Sequence, residues 1–210
     1  FIIDCDGNDK ENKNKLFENK TELNNFEKAV FPIKVIYNFY EGKKSIGEKR
    51  NRMIKKATNN LISFMDSDDL YLEDYLNHSL EVMNKGNYNL VGSNQMLFVF
   101  PPKNFEDKWN ITGIRCKDKV MIHEATMLFT KKHWKAMGGF KKSSEGEGMG
   151  MIANMDEKTI GLTDIQNIMI CICHPGNTID KSRFKTSDEI KGQINEFDKT
   201  IIHKILYPKM

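Results

Sequence analysis

Two hydrophobic periods alternate along the first hundred residues. Phe1 to Asp4 is a short apolar run that reads as a buried strand, and Asp6-Gly7-Asn8-Asp9 after it reads as a turn. From Lys13 to Ala29 the apolar positions Leu16, Phe17, Leu23 and Phe26, continued by Val30, have the spacing of an amphipathic helix. Ile33 to Tyr37 predicts a second strand, Glu41 to Ser45 a loop, and Ile46 to Ala57 a second helix. Leu61 to Met65 predicts a third, fully buried strand, and Asp66-Ser67-Asp68-Asp69 stands directly at its carboxyl end. A helix over Tyr71 to Met83 and a strand within Leu90 to Phe100 complete this half.

Strands that alternate with helices predict an α/β protein with an open, mostly parallel sheet flanked by helices on both faces. In such sheets ligands bind at the carboxyl ends of the strands. Both Asp6 and the Asp66–Asp69 cluster fall at such ends. The second half is less regular. Pro101 to Asp118 reads as a long loop containing Trp109, Ala125 to Phe129 as a strand, and Lys131 to Met137 as a short helix stopped by Gly138-Gly139. Ser143 to Gly150 is glycine-rich and acidic. Ile168 to Cys173 reads as a last strand and Ser187 to Leu206 as a C-terminal amphipathic helix. No internal repeat is visible, so a single domain over residues 1–210 is expected. The pattern begins inside a strand at Phe1, which reads as a piece of a longer chain.

Composition narrows the function classes. A hydrophobic fraction of 39% is enough for a packed core, which sets general disorder aside. The net charge of +3 is spread through the chain without a basic block, which disfavours a nucleic-acid partner. Cys5, Cys116, Cys171 and Cys173 have neither metal-knuckle nor disulfide-framework spacing. They read as small buried residues in a reducing compartment. No apolar run reaches the ~18 residues of a membrane span, and no signal peptide is present. The expectation is a soluble, cytoplasmic protein.

Two constellations carry chemistry. Asp66, Asp68 and Asp69 crowd three carboxylates into four residues, and their repulsion has to be offset. A hard cation would offset it, and oxygen donors suit Mg²⁺ or Mn²⁺ better than zinc. Such a cation can bridge to a nucleotide diphosphate. The competing reading is an acidic helix N-terminus capped by Ser67 or Asp68. One helix upstream, Gly47-Glu48-Lys49-Arg50-Asn51-Arg52 offers Lys49 and Arg50 to phosphate charge, or forms a solvated basic helix face.

The string from Ile46-Gly47-Glu48-Lys49-Arg50-Asn51 through Leu61-Ile62-Ser63-Phe64-Met65 to Asp66-Ser67-Asp68-Asp69-Leu70-Tyr71 resembles family-2 glycosyltransferases of the GT-A fold. Those enzymes carry a Gly-x-x-x-Arg-Asn helix, an apolar strand and an Asp-x-Asp metal motif. Ile2-Ile3-Asp4-Cys5-Asp6-Gly7 looks like their Asp-Asp-Gly turn, Gly138-Gly139-Phe140 like their acceptor-side region, and His174-Pro175-Gly176-Asn177-Thr178 is a weaker echo. The chain departs from the pattern in three places. The family's first strand and helix are missing upstream. Cys5 stands for the first acid of the turn. The usual Glu-Asp pair appears as Glu145-Gly146-Glu147-Gly148.

The resemblance implies a nucleotide-sugar-binding half over residues 1–100 and an acceptor-binding half over 101–210. It implies a UDP-sugar as donor, Mn²⁺ or Mg²⁺ as cofactor, and inverting transfer to a hydroxyl of a glycan, protein or small molecule. By the same resemblance Asp6, Arg50, Asn51 and Asp66 bind the donor, Asp66, Asp68, Asp69 and His174 hold the ion, and Glu147, with Glu145 second, is the base. A carboxylate suits that last role because it is charged at neutral pH and can reach a hydroxyl directly. The rival is a degenerate domain that binds nucleotide or glycan without turnover. A nucleotidyltransferase on a similar sheet is a third reading; no Gly-rich N-terminal loop of the kind it uses stands in this sequence, an objection weakened by the pattern's opening inside a strand.

Overall fold

The computed structural model describes residues 2–6, 15–40, 42–118, 120–177 and 179–207. Its elements run β1 (Ile2–Asp6), α1 (Lys20–Ala29), β2 (Ile36–Tyr40), α2 (Ile46–Lys56), β3 (Leu61–Ser63), β4 (Leu70–Tyr71), α3 (Tyr75–Gly86), β5 (Leu90–Gly92), β6 (Gln95–Phe100) and β7 (Asn110–Arg115). They continue with β8 (Leu128–Thr130), α4 (Lys131–Ala136), α5 (Met149–Ile152), β9 (Gly161–Leu162), β10 (Met169–Ile172) and α6 (Glu196–Leu206). Two compact units are present: Phe1–Asn60 with Gly139–Gly150, and Leu61–Gly138 with Met151–Met210.

In the first unit β1 and β2 pair in parallel, from Ile2 opposite Ile36 to Asp6 opposite Tyr40. Helix α1 starts at Asn19, whose side chain accepts from the Glu22 N–H. Helix α2 starts with a reciprocal cap. The Ser45 side chain accepts from the Glu48 N–H, and the Glu48 carboxylate accepts from the Ser45 N–H. Those bonds hold the Glu48 carboxyl below the usual range.

The second unit has two four-stranded sheets, in the orders β3-β8-β5-β9 and β4-β10-β6-β7. The α/β class and the helix-flanked sheets expected from the pattern are present, but the sheets are mixed rather than mostly parallel. β8 runs antiparallel to both of its neighbours, β3 and β5. Contacts made by Ser93 set that direction. Ser93, just past the carboxyl end of β5, accepts from the His123 N–H at 2.9 Å and donates its own N–H to Thr126 Oγ1 at 2.8 Å. The chain thus enters β8 from the carboxyl edge and has to run back. β3, β5 and β9 consequently share one direction, with their carboxyl ends on one edge.

Three expectations about elements are corrected. The single strand read within Leu90 to Phe100 breaks at Ser93-Asn94 and serves two sheets. The long loop read before Asp118 contains β7, paired with β6 from Gln95 opposite Arg115 to Phe100 opposite Asn110. The C-terminal helix begins only at Glu196, where the Asn195 side chain caps it, and not at Ser187. Gly192 instead lies against Leu97, where a Cβ would press into that side chain. The core of this unit gathers Tyr75, Leu97, Val99, Ile165, Ile168, Met169, Ile170, Cys171 and Ile202. Cys116, Cys171 and Cys173 are free thiols. Among the described residues no helix is long and apolar enough to cross a membrane.

Candidate active site

The acidic turn follows β3, which ends at Ser63, two residues short of the predicted strand. Two tyrosines fix its course. Tyr71 Oη accepts from the Asp66 N–H and donates to the Ala125 carbonyl, both at 3.0 Å. Tyr75 Oη donates to the Phe64 carbonyl at 3.2 Å. Burial, followed by the nearby Asp66 carboxylate, pushes the Tyr71 hydroxyl far up, so it stays a donor.

The three aspartates have different surroundings. Asp68 is half exposed, with Oδ2 3.5 Å from His174 Nε2 and 3.2 Å from the Asn177 amide that donates to it. Asp66 is partly exposed on the same turn. Asp69 turns inward, and its Oδ1 accepts from the Ile172 N–H at 3.0 Å. Burial pushes its pKa up to about 6, against the opposing pull of the Cys171 thiol and the Lys181 charge. Lys181 in turn donates to Cys171 Sγ, on β10, at 2.7 Å.

His174 sits in a loop that closes on itself. Its N–H donates to Asn177 Oδ1 at 2.8 Å, and its Nδ1 accepts from the Gly176 N–H at 3.1 Å. Its Nε2 faces Asp68 and lies 3.0 Å from the Asn177 amide nitrogen. The sequence carried no signal for Lys181, and Tyr71 and Asn177 stood in it only as members of longer strings. The His-Pro-Gly-Asn string was the one signal that marked Asn177.

In the first unit, α2 carries the loop that follows Gly139. Asn51 bonds Phe140 reciprocally: its amide donates to the Phe140 carbonyl at 2.8 Å and its Oδ1 accepts from the Phe140 N–H at 3.0 Å. The Gly47 N–H donates to the Ser143 carbonyl at 2.9 Å. A Cβ on Gly47 would overlap the Lys141 carbonyl oxygen, so this close approach requires glycine. Arg50 Nη1 lies 2.6 Å from Glu147 Oε1, with the two side chains only 5% and 6% exposed. The guanidinium also lies over the Phe140 ring, 5.6 Å from its centre. Gly146 has φ +60°, a left-handed turn between the two acids. Glu145 is exposed, with its backbone held by Ser143 Oγ.

The structure thus brings Asp68 and His174 together, pairs Arg50 with Glu147, and turns Asp69 toward the core. Asp6 closes β1, and its side chain, like Gly7-Asn8-Asp9 and Thr178, lies outside the described residues. Trp109 is anchored by its indole N–H on the Phe105 carbonyl and packs against the core.

Helix-flanked mixed sheets with an acidic turn at a strand's carboxyl end define the GT-A class of fold. The chain belongs to glycosyl transferase family 2, whose model matches residues 20–145. That span includes Arg50, Asn51, Asp66, Asp68, Asp69 and Glu145, and excludes Asp6, Glu147 and His174. The fold is similar to that of S. aureus TarS 1-349 in complex with UDP-GlcNAc, with a TM-score of 0.53 and 16% identity over 88% of this chain. A second structure of S. aureus TarS 1-349 matches 72% of this chain and 48% of its own, at 12% identity and a TM-score of 0.48. The chain spans 58% of the length of the TarS complex structure. No curated protein matches the chain.

Proposed function

We propose that this chain moves a sugar from a nucleoside diphosphate sugar to an acceptor hydroxyl, with inversion at the anomeric carbon. The observation that carries the reading is the Asp68–His174 pair, 3.5 Å apart, with Asp68 on the turn that follows β3 and His174 just past β10. A uridine nucleotide is the donor to test first, because the similar TarS structure contains UDP-GlcNAc.

Among the described residues no group of three or more His, Cys, Asp or Glu side chains is placed to hold an ion. Mg²⁺ and Mn²⁺ do not need one: a site of one or two carboxylates completed by substrate phosphates is typical for Mg²⁺. The oxygen donors of Asp66 and Asp68 fit that chemistry, and they would hold the ion. Asp69, bonded to the Ile172 N–H and desolvated, supports the turn instead. When bound, the cation neutralises charge on the departing diphosphate. His174, beside Asp68, is a further side chain within reach of a phosphate on this turn.

The step is a single displacement. The acceptor oxygen forms a bond to the anomeric carbon as its proton passes to a carboxylate. The bond from that carbon to the diphosphate oxygen breaks, and the nucleoside diphosphate leaves with the electron pair. We assign the proton to Glu145, the exposed acid of the loop. Glu147, ion-paired and buried, holds the loop on α2. The same pairing favours one rival, a domain that binds nucleotide without turnover, since it removes one of two candidate bases.

Donor hydrolysis separates these readings. UDP-sugar should be hydrolysed slowly by the chain, and adding Mn²⁺ should raise that rate at least tenfold. UDP binding with no hydrolysis under either condition supports the binding module. Absence of both binding and hydrolysis would sink the nucleotide-sugar reading.

A further inference from the structure

The acidic turn is held at both ends. At its start the Asp66 N–H donates to Tyr71 Oη at 3.0 Å. At its end Asp69 Oδ1 accepts from the Ile172 N–H of β10, also at 3.0 Å. The Asp69 N–H donates back to the Asp66 carbonyl at 3.3 Å, which closes the turn on itself. Asp68 lies between these two anchors and is exposed.

The anchor at the start depends on one oxygen atom. The Asp66 N–H can only donate and the Ala125 carbonyl can only accept, whereas a hydroxyl does both at once. Tyr71 Oη accepts from the first and donates to the second at 3.0 Å, so it joins the turn to the segment before β8. The mount of that oxygen is rigid. Tyr71 lies in β4 opposite Met169 of β10, and the Leu72 N–H donates to the Ile168 carbonyl at 2.9 Å. The Tyr71 ring packs on that of Tyr75, with centroids 5.2 Å apart. On the other side, Thr126 fixes the segment that carries Ala125. Its Oγ1 accepts from the Ser93 N–H at 2.8 Å and donates to the His123 carbonyl at 2.7 Å. The start of the turn is therefore tied to both four-stranded sheets.

We propose that Tyr71 is a positioning residue for cation binding: its hydroxyl holds the Asp66 backbone so that the Asp66 and Asp68 carboxylates meet one ion. The inference rests on the transferase reading above and on the ion it assigns to those two residues. A carboxylate free to wander has to be ordered when the ion binds, and that ordering lowers affinity. Groups that orient metal ligands typically change affinity by ~10–100-fold.

Mn²⁺ binding to the full chain at saturating UDP, read from the electron paramagnetic resonance of the free ion, tests this. Tyr71→Phe keeps the ring and removes the bridging oxygen, and it should weaken Mn²⁺ binding by ~10–100-fold. Ile202→Ala is the control for stability alone, since it removes buried apolar volume on α6 and no hydrogen bond. Its folded molecules should bind Mn²⁺ as the parent does. Parent-like affinity in Tyr71→Phe, or an equal loss in Ile202→Ala, would overturn the proposal. A second measurement needs no variant. In the parent without Mn²⁺, the Asp66 amide should exchange with deuterated water at least about tenfold more slowly than an unprotected amide. Exchange at the unprotected rate would also overturn it. A parent that binds no Mn²⁺ with UDP removes the ion from this turn, and the role of Tyr71 with it. Mn²⁺ binding that survives Tyr71→Phe removes the role of Tyr71 alone.

Discussion

Arg50→Ala is expected to cost about 3–5 kcal/mol of stability, because it removes the guanidinium 2.6 Å from the buried Glu147 carboxylate. The two side chains are 5% and 6% exposed and 2.6 Å apart, so water cannot replace the lost partner without opening the loop. Glu147→Ala should cost a similar amount for the mirror-image reason. The double change Arg50→Met with Glu147→Leu should recover most of the loss, since an apolar pair of similar volume carries no desolvation penalty. Urea midpoints of the three variants check this. A single variant as stable as the parent would show that the pair does not hold the loop on α2.

Glu145→Gln should lower transfer by ~10²–10⁴-fold, the usual contribution of a positioned general base. The change keeps the side-chain shape and removes the charge, so UDP affinity should stay near that of the parent. The argument is one of access: Glu145 is exposed, whereas Glu147 is held against Arg50. Rates per folded molecule should be compared with those of Glu147→Gln. If Glu147→Gln collapses transfer while Glu145→Gln does not, the base is Glu147 and its ion pair opens during turnover. If neither change matters, the proton goes elsewhere, with Glu124 or Asp164 as the carboxylates to try next.

The parts of the fold carried by short-range signals were legible in the sequence. The second helix, expected over Ile46 to Ala57, forms over Ile46–Lys56. The acidic turn was legible because an apolar run leads straight into it. What stayed hidden depends on distant partners. The Arg50–Glu147 pair joins residues 97 positions apart, so Arg50 read as a free phosphate ligand. The three carboxylates within Asp66–Asp69 were told apart only by the Ile172 N–H, 103 positions on, which claims Asp69. β7 was missed because Thr112 and Gly113 interrupt its apolar pattern, and its pairing with β6 supplies what propensity does not. The antiparallel direction of β8 follows from hydrogen bonds between Ser93 and residues 123 and 126, which no local period encodes.

The site itself rests on Asp68, half exposed beside His174 and Asn177. Its most direct test is UDP affinity with and without Mn²⁺, measured by calorimetry on the parent and on Asp68→Ala. The parent should bind UDP more tightly by at least tenfold when Mn²⁺ is present. Asp68→Ala should lose that enhancement while its circular dichroism and urea midpoint remain those of the parent. An Asp68→Ala protein that binds UDP with Mn²⁺ as tightly as the parent would contradict a metal–diphosphate site on this turn.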